Sequence, residues 1–381
     1  MKKALIFLIA LVLLVTAGIF AVSAENQAES GAVWCDRCRK NVPANEWMEW
    51  TTTGGDFTEE GHFYLADTFT EQETTVNILA LKFVCLDLRG NTWATEGIQT
   101  MSISGDFSIM DSVGGGLILT TGTNKTAGAF ADVCTAGALN LYSGTIQRIV
   151  RDNITLHRGG LINITDGTFN VYGGTVSGGV AKGFKDNGTT YTPRGGNIYM
   201  TNTQANLTVK NGGKITGSNN LAQSHGNAAI QAKGKLIING GEVNSNPKIA
   251  VGLYGGEGIE FNGGVVNVTA PWYGVTTGTK QAGTPIVFNG GTVTIMAERA
   301  FYSYSVPVVQ IGDKVKAYGG SGKRNAEEYT GTDKKLLSKP WFFVTDNPDL
   351  FIEVEEEEED TAMDYQTAMC GTGISSSYIY A

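Results

Sequence analysis

The sequence predicts an all-β chain wound as a right-handed parallel β-helix, and three observations carry that expectation. The first is a shape that keeps returning: LNLYSGTI at Leu139, FNVYGGTV at Phe169, LTVKNGGKI at Leu207 with one residue inserted, LIINGGEV at Leu236, IEFNGGVV at Ile259 and IVFNGGTV at Ile286. The second is the placing of apolar residues at the first and third positions of each copy, which is the period of a strand and not of a helix. The third is spacing. The second glycine of the turn falls at Gly144, Gly174, Gly213, Gly241, Gly264 and Gly291, in steps of 23 to 39 residues, the range of a stacked repeat.

One such unit cannot close a core, because Leu139, Leu141 and Ile146 would face water until the next unit stacks on them. Equivalent strands of successive coils then pair about 4.8 Å apart, like residue above like. Right-handed winding follows by analogy with parallel crossovers.

Taken in order, the chain starts with a secretion signal over 1–24. Met1, Lys2 and Lys3 give a basic start, Ala4 to Val22 an apolar run, and Val22-Ser23-Ala24 a small-residue cleavage site. Export is expected, to the extracellular medium or the cell surface, with no membrane contact beyond that segment. Residues 25–56 lack the repeat and gather Trp34, Trp47 and Trp50. They are assigned to an N-terminal cap, since the first coil of a solenoid exposes an apolar end.

The five cysteines, at 35, 38, 85, 134 and 370, are too few and odd in number for a disulfide scaffold. Cys35 and Cys38 form a CxxC pair that invites a zinc reading. One such pair supplies two of four ligands, and no second CxxC follows. A redox motif lacks its βαβ setting. The pair is therefore assigned a local structural or disulfide role, and no metal or cofactor is expected.

The β-helix is assigned to 57–345. Its early coils carry CLDLRG at Cys85 to Gly90, SIMD at Ser108 to Asp111, and GGTVSGG at Gly173 to Gly179. With a Trp-containing leading segment, these runs resemble a family of secreted proteins of gut-type Gram-positive bacteria. That resemblance spans residues 47–320 and implies a pectate-lyase-like right-handed β-helix of adhesin-like character. It departs from the family pattern at Arg89, where Asn is usual, and at Trp93, where an aliphatic is usual. The matching residues build coils and so speak weakly about function.

Several short motifs carry nothing. Sequons at Asn153, Asn163, Asn206 and Asn267 arise readily in strands rich in Asn and Thr. Gly255 to Phe261 approximates a calcium nonapeptide but stands alone. The GGSGK at Gly319 lacks the spacing of a phosphate loop.

The segment 346–381 carries ten acids and no base, against a formal net charge of −9 for the whole chain. It is expected to be a solvated, disordered tail. The body is then nearly neutral, which argues against nucleic acid as a partner.

Chemistry on this fold would come from acids at equivalent outward positions of adjacent coils. A polysaccharide lyase or glycoside hydrolase needs two or more such carboxylates. Asp87 and Asp111 are the nearest candidates, yet both lie in the structural runs of the resemblance. His157 and His225 have no evident partners. Tyr142 over Tyr172 and an Asn column at 239, 262 and 289 do line up. The expectation is a monomeric binding, adhesion or structural surface module, with Tyr142 and Tyr172 meeting a glycan or a host or neighbouring cell surface. A polysaccharide-degrading enzyme is the alternative.

Overall fold

The computed structural model describes residues 31–352, apart from 52–53, 73–74, 97–99, 122–127, 150–159, 182–183, 187–188, 192–193, 204, 219–227, 246–250, 279–283, 304–306 and 348. The expectations for the signal segment, for His157, His225 and the Asn153 sequon, and for the tail beyond 352 lie outside the described residues.

The chain is a parallel β-solenoid, as the repeat requires. Strands fall into three columns. One runs from Gly55–Phe57 through Val76–Ile78 and Met101–Ile103 to Val251–Gly255. A second runs from Trp47–Glu49 through Gly61–Tyr64, Phe83–Asp87, Asp106–Met110 and Ala138–Leu141 to Lys235–Ile238. The third runs from Phe69–Gln72 through Thr92–Glu96 to Glu242–Ser245. In the last coils the three columns merge into the continuous strands Gly258–Thr277 and Pro285–Ser303, paired with each other in parallel.

Register places like over like. In the second column Leu86, Ile109, Leu141, Val171, Val209, Ile238, Phe261 and Phe288 stack directly, all fully buried. Phe261 and Phe288 lie face to face, ring centroids 4.8 Å apart and 6° from parallel, the spacing of the strands themselves. A side chain that faces the core in one coil thus has its counterpart above and below, and the apolar column is continuous.

The turn after this column explains the glycines. Gly144, Gly174, Gly241, Gly264 and Gly291 hold φ between +70° and +83°, a conformation that penalises any side chain. A Cβ on Gly264 would sit 2.4 Å from the Gly241 carbonyl oxygen, and one on Gly291 2.5 Å from that of Gly264. The copy with the inserted residue behaves differently, moving positive φ to Gly212 at +95°.

The ladder starts at Trp47–Glu49, within the stretch assigned to the cap, and at Gly55–Phe57, across its end. At the other end Asp346, assigned to the tail, accepts a hydrogen bond of 2.7 Å from the Gly291 amide. The final strand Trp341–Thr345 runs antiparallel to both Pro285–Ser303 and Lys316–Gly320. It gives the last coil partners for its backbone groups.

Candidate functional site

The N-terminal segment is a small hairpin. Val33–Cys35 pairs antiparallel with Lys40–Val42 in a sheet of its own, and the turn closes where the Arg39 amide donates to the Cys35 carbonyl at 2.8 Å. This hairpin lies on the outer face of the second column. Cys35, Val42, Trp47, Cys85 and Met110 form a satellite apolar cluster there, with Val33, Cys38, Tyr64, Phe83 and Tyr142 packed around it.

The turn carries both cysteines of the CxxC, and beneath it the column supplies two more donor groups. His62 and Cys85 occupy the same outward position on adjacent rungs. The Cys35 and Cys85 sulfurs are 3.7 Å apart, and Cys38 Sγ is 3.3 Å from His62 Nε2. Four potential ligand atoms, three thiol sulfurs and one imidazole nitrogen, all lie within 4.8 Å of one another. Cys35, His62 and Cys85 are buried. The hydrogen bond with Cys85 holds the Cys35 thiol down to about 5 against its burial, while that same bond and burial push Cys85 up; burial pushes Cys38 up.

Of these four residues the sequence singles out Cys35 and Cys38 as a pair and does not join His62 or Cys85 to them. The signal was present: GHFY at Gly61 and VCLD at Val84 are successive copies of one strand, so the second residue of each faces outward at the same height.

Arg37, between the two cysteines, reaches Asp106 in the next rung. Its Nε and Nη2 approach one carboxylate oxygen at 3.1 and 2.9 Å, and its guanidinium lies 4.6 Å from the Phe83 ring centre. The other Asp106 oxygen accepts from Ser108 at 3.1 Å and Asn140 at 3.0 Å, and Asn170 donates onward to Asn140 at 2.8 Å. A polar file thus runs from the hairpin along the column.

Tyr142 and Tyr172 stack as expected, centroids 4.7 Å apart and 4° from parallel. Their faces, however, point along the solenoid. Tyr142 meets the hairpin cluster on one side, and the Lys210 ammonium lies 4.5 Å from the Tyr172 centroid. Both rings are half-buried, and the stack leaves ring edges and not faces at the surface. Burial, then Tyr172, pushes the Tyr142 phenol up to about 12. Further along, Asn262 donates to Asn239 and Asn289 to Asn262, each at 2.8 Å, an exposed amide ladder of the expected kind.

Asp87 ends the strand Phe83–Asp87 and Asp111 follows Asp106–Met110, each leading into a turn. Asp87 is fully buried and accepts from the amides of Arg89 and Ser112 at 3.1 and 2.9 Å and from the Ser112 hydroxyl at 2.6 Å. Asp111 accepts from the amides of Gly90 at 2.7 Å and Gly116 at 2.6 Å. Arg89 sits between them at φ +50°. That left-handed conformation is one Asn tolerates better than Arg.

Comparison with known proteins found no matching family model, no matching curated protein and no matching solved structure.

Proposed function

We propose that this chain is a secreted or cell-surface binding module of the pectate-lyase-like, adhesin-like kind, whose target is a glycan or a cell surface. The observation that carries this reading is the outward file of the second column: Tyr142, Tyr172, Lys210, Asn239, Asn262 and Asn289 follow one another on successive rungs. The file is rigid because it rides on a continuous core, so its hydroxyls, ammonium and amides are fixed in place before a ligand arrives. Such preorganisation lowers the ordering cost of association. The carboxylates that a hydrolase or lyase would need are engaged with turn amides at Asp87 and Asp111.

The edge-on tyrosines define the test. Retention of the full chain on an immobilised glycan and cell-surface array is compared with Tyr142→Phe/Tyr172→Phe and Lys210→Ala. Both variants keep the fold and remove hydrogen-bonding groups. Lost retention supports the reading. Retention unchanged in both, or new reducing ends or unsaturated products from any polysaccharide, overturns it.

A further inference from the structure

We propose that Cys35, Cys38, His62 and Cys85 together bind one zinc ion, and that this ion fastens the N-terminal hairpin across the first coils.

The donor chemistry selects the metal class. Three thiolates and an imidazole suit zinc and not the hard cations that prefer oxygen. Geometry agrees. In a tetrahedral site with Zn–S near 2.3 Å and Zn–N near 2.0–2.1 Å, sulfur–sulfur edges come to about 3.8 Å and sulfur–nitrogen edges to about 3.5 Å. Cys35 and Cys85 stand at 3.7 Å, Cys38 and His62 at 3.3 Å, and no pair among the four exceeds 4.8 Å. A disulfide needs about 2.05 Å between sulfurs, and Cys35, Cys38 and Cys85 are all free thiols.

The arrangement is built from two independent sources. Parallel register sets His62 and Cys85 on neighbouring rungs, where the strand spacing is about 4.8 Å. The CxxC turn brings two more donors over them from a hairpin that belongs to a different sheet. All four positions are filled by protein groups, and three of the residues are buried, which makes the site closed and structural and not catalytic. Arg37, bonded to Asp106, anchors the same turn from the side.

The ion has mechanical work to do. The hairpin strands are three residues each and share no backbone ladder with the solenoid. A two-stranded hairpin alone is marginal in water. Metal binding couples its folding to the first coils.

The test uses the full chain, purified with its thiols reduced and zinc supplied, with metal measured by mass spectrometry. One zinc per chain is expected, and Co²⁺ titrated in its place should give thiolate-to-metal charge-transfer absorption. Loss of one ligand should weaken zinc binding by more than about a hundredfold, since even losing a group that only orients a ligand costs about 10–100-fold. His62→Ala and Cys85→Ser should therefore lose the ion. Cys134→Ser, a free thiol outside the cluster, should keep it. His62→Cys restores a fourth soft ligand and should retain zinc, which separates loss of a ligand from loss of fold. Three results would overturn the proposal: substoichiometric zinc in the parent chain, equal zinc in the Cys85→Ser variant, or a disulfide among Cys35, Cys38 and Cys85 in the metal-free native protein.

Discussion

Arg37 and Asp106 join two parts of the molecule that share no hydrogen-bonded sheet: one guanidinium from the hairpin turn holds one carboxylate of the solenoid at 2.9 Å. Both side chains remain about a third exposed, at 27% and 33%, so solvent screening limits the contribution to roughly 0.5–1 kcal/mol. Arg37→Ala should lower global stability by no more than that. It should have a larger effect locally, through faster proteolysis of the hairpin and faster amide exchange there, and both effects should shrink at high salt.

The core column makes a stronger prediction. Ile238 is fully buried between Val209 and Phe261. Ile238→Ala should cost about 2–5 kcal/mol by leaving a cavity, read from a urea midpoint. Ile238→Asp places a charge in an apolar stack and should abolish soluble expression. Normal yield of the Asp variant would mean the side chain does not face inward.

Glycine geometry can be tested by a matched pair. Gly264→Ala meets both positive φ and a carbonyl oxygen at 2.4 Å, and should destabilise by at least about 1–2 kcal/mol. Gly322→Ala has extended backbone and no heavy atom within 4 Å. It should leave the unfolding midpoint in place.

Alkaline titration reports on the tyrosine stack. The Tyr142 phenol rises from the ordinary 10 to about 12, through burial first and Tyr172 second. A raised folded-state value means the protonated ring stabilises the fold below pH 10, and that contribution is lost as pH climbs from 10 to 12. Burial also raises the Tyr273 and Tyr329 phenols, so absorbance at a phenolate wavelength should show a late-titrating component that shrinks in Tyr142→Phe. If every tyrosine of the parent titrated near 10, the stack would be looser than described.

How much of this was legible beforehand depends on the physics of each feature. Phe261 over Phe288 could be read directly, because a two-residue period and a recurring Gly turn fix both facing and register. The Asn239, Asn262 and Asn289 ladder followed from the same alignment. The orientation of the Tyr142 and Tyr172 rings did not, since stacking turns their faces along the solenoid, and that depends on Lys210 and on a hairpin folding back from elsewhere. The Cys35, Cys38, His62 and Cys85 cluster was hidden for a related reason. Its donors come from three separate segments, and a motif search sees only the CxxC that two of them form. Asp346 at Gly291 shows the same limit at the far end, where composition assigned a tail but one carboxylate caps a turn.

The reversed direction of Trp341–Thr345 has a consequence for assembly. Parallel coils form an open-ended template: whatever strand comes next could in principle be one from another molecule, and end-to-end addition would then make a growing filament. Here Trp341–Thr345 is enclosed between Pro285–Ser303 and Lys316–Gly320, and the strand outside them, Ala326–Glu328, again runs against the coils. On that column the edge runs against the winding, whereas the second column ends in Val308–Ile311, parallel to Pro285–Ser303.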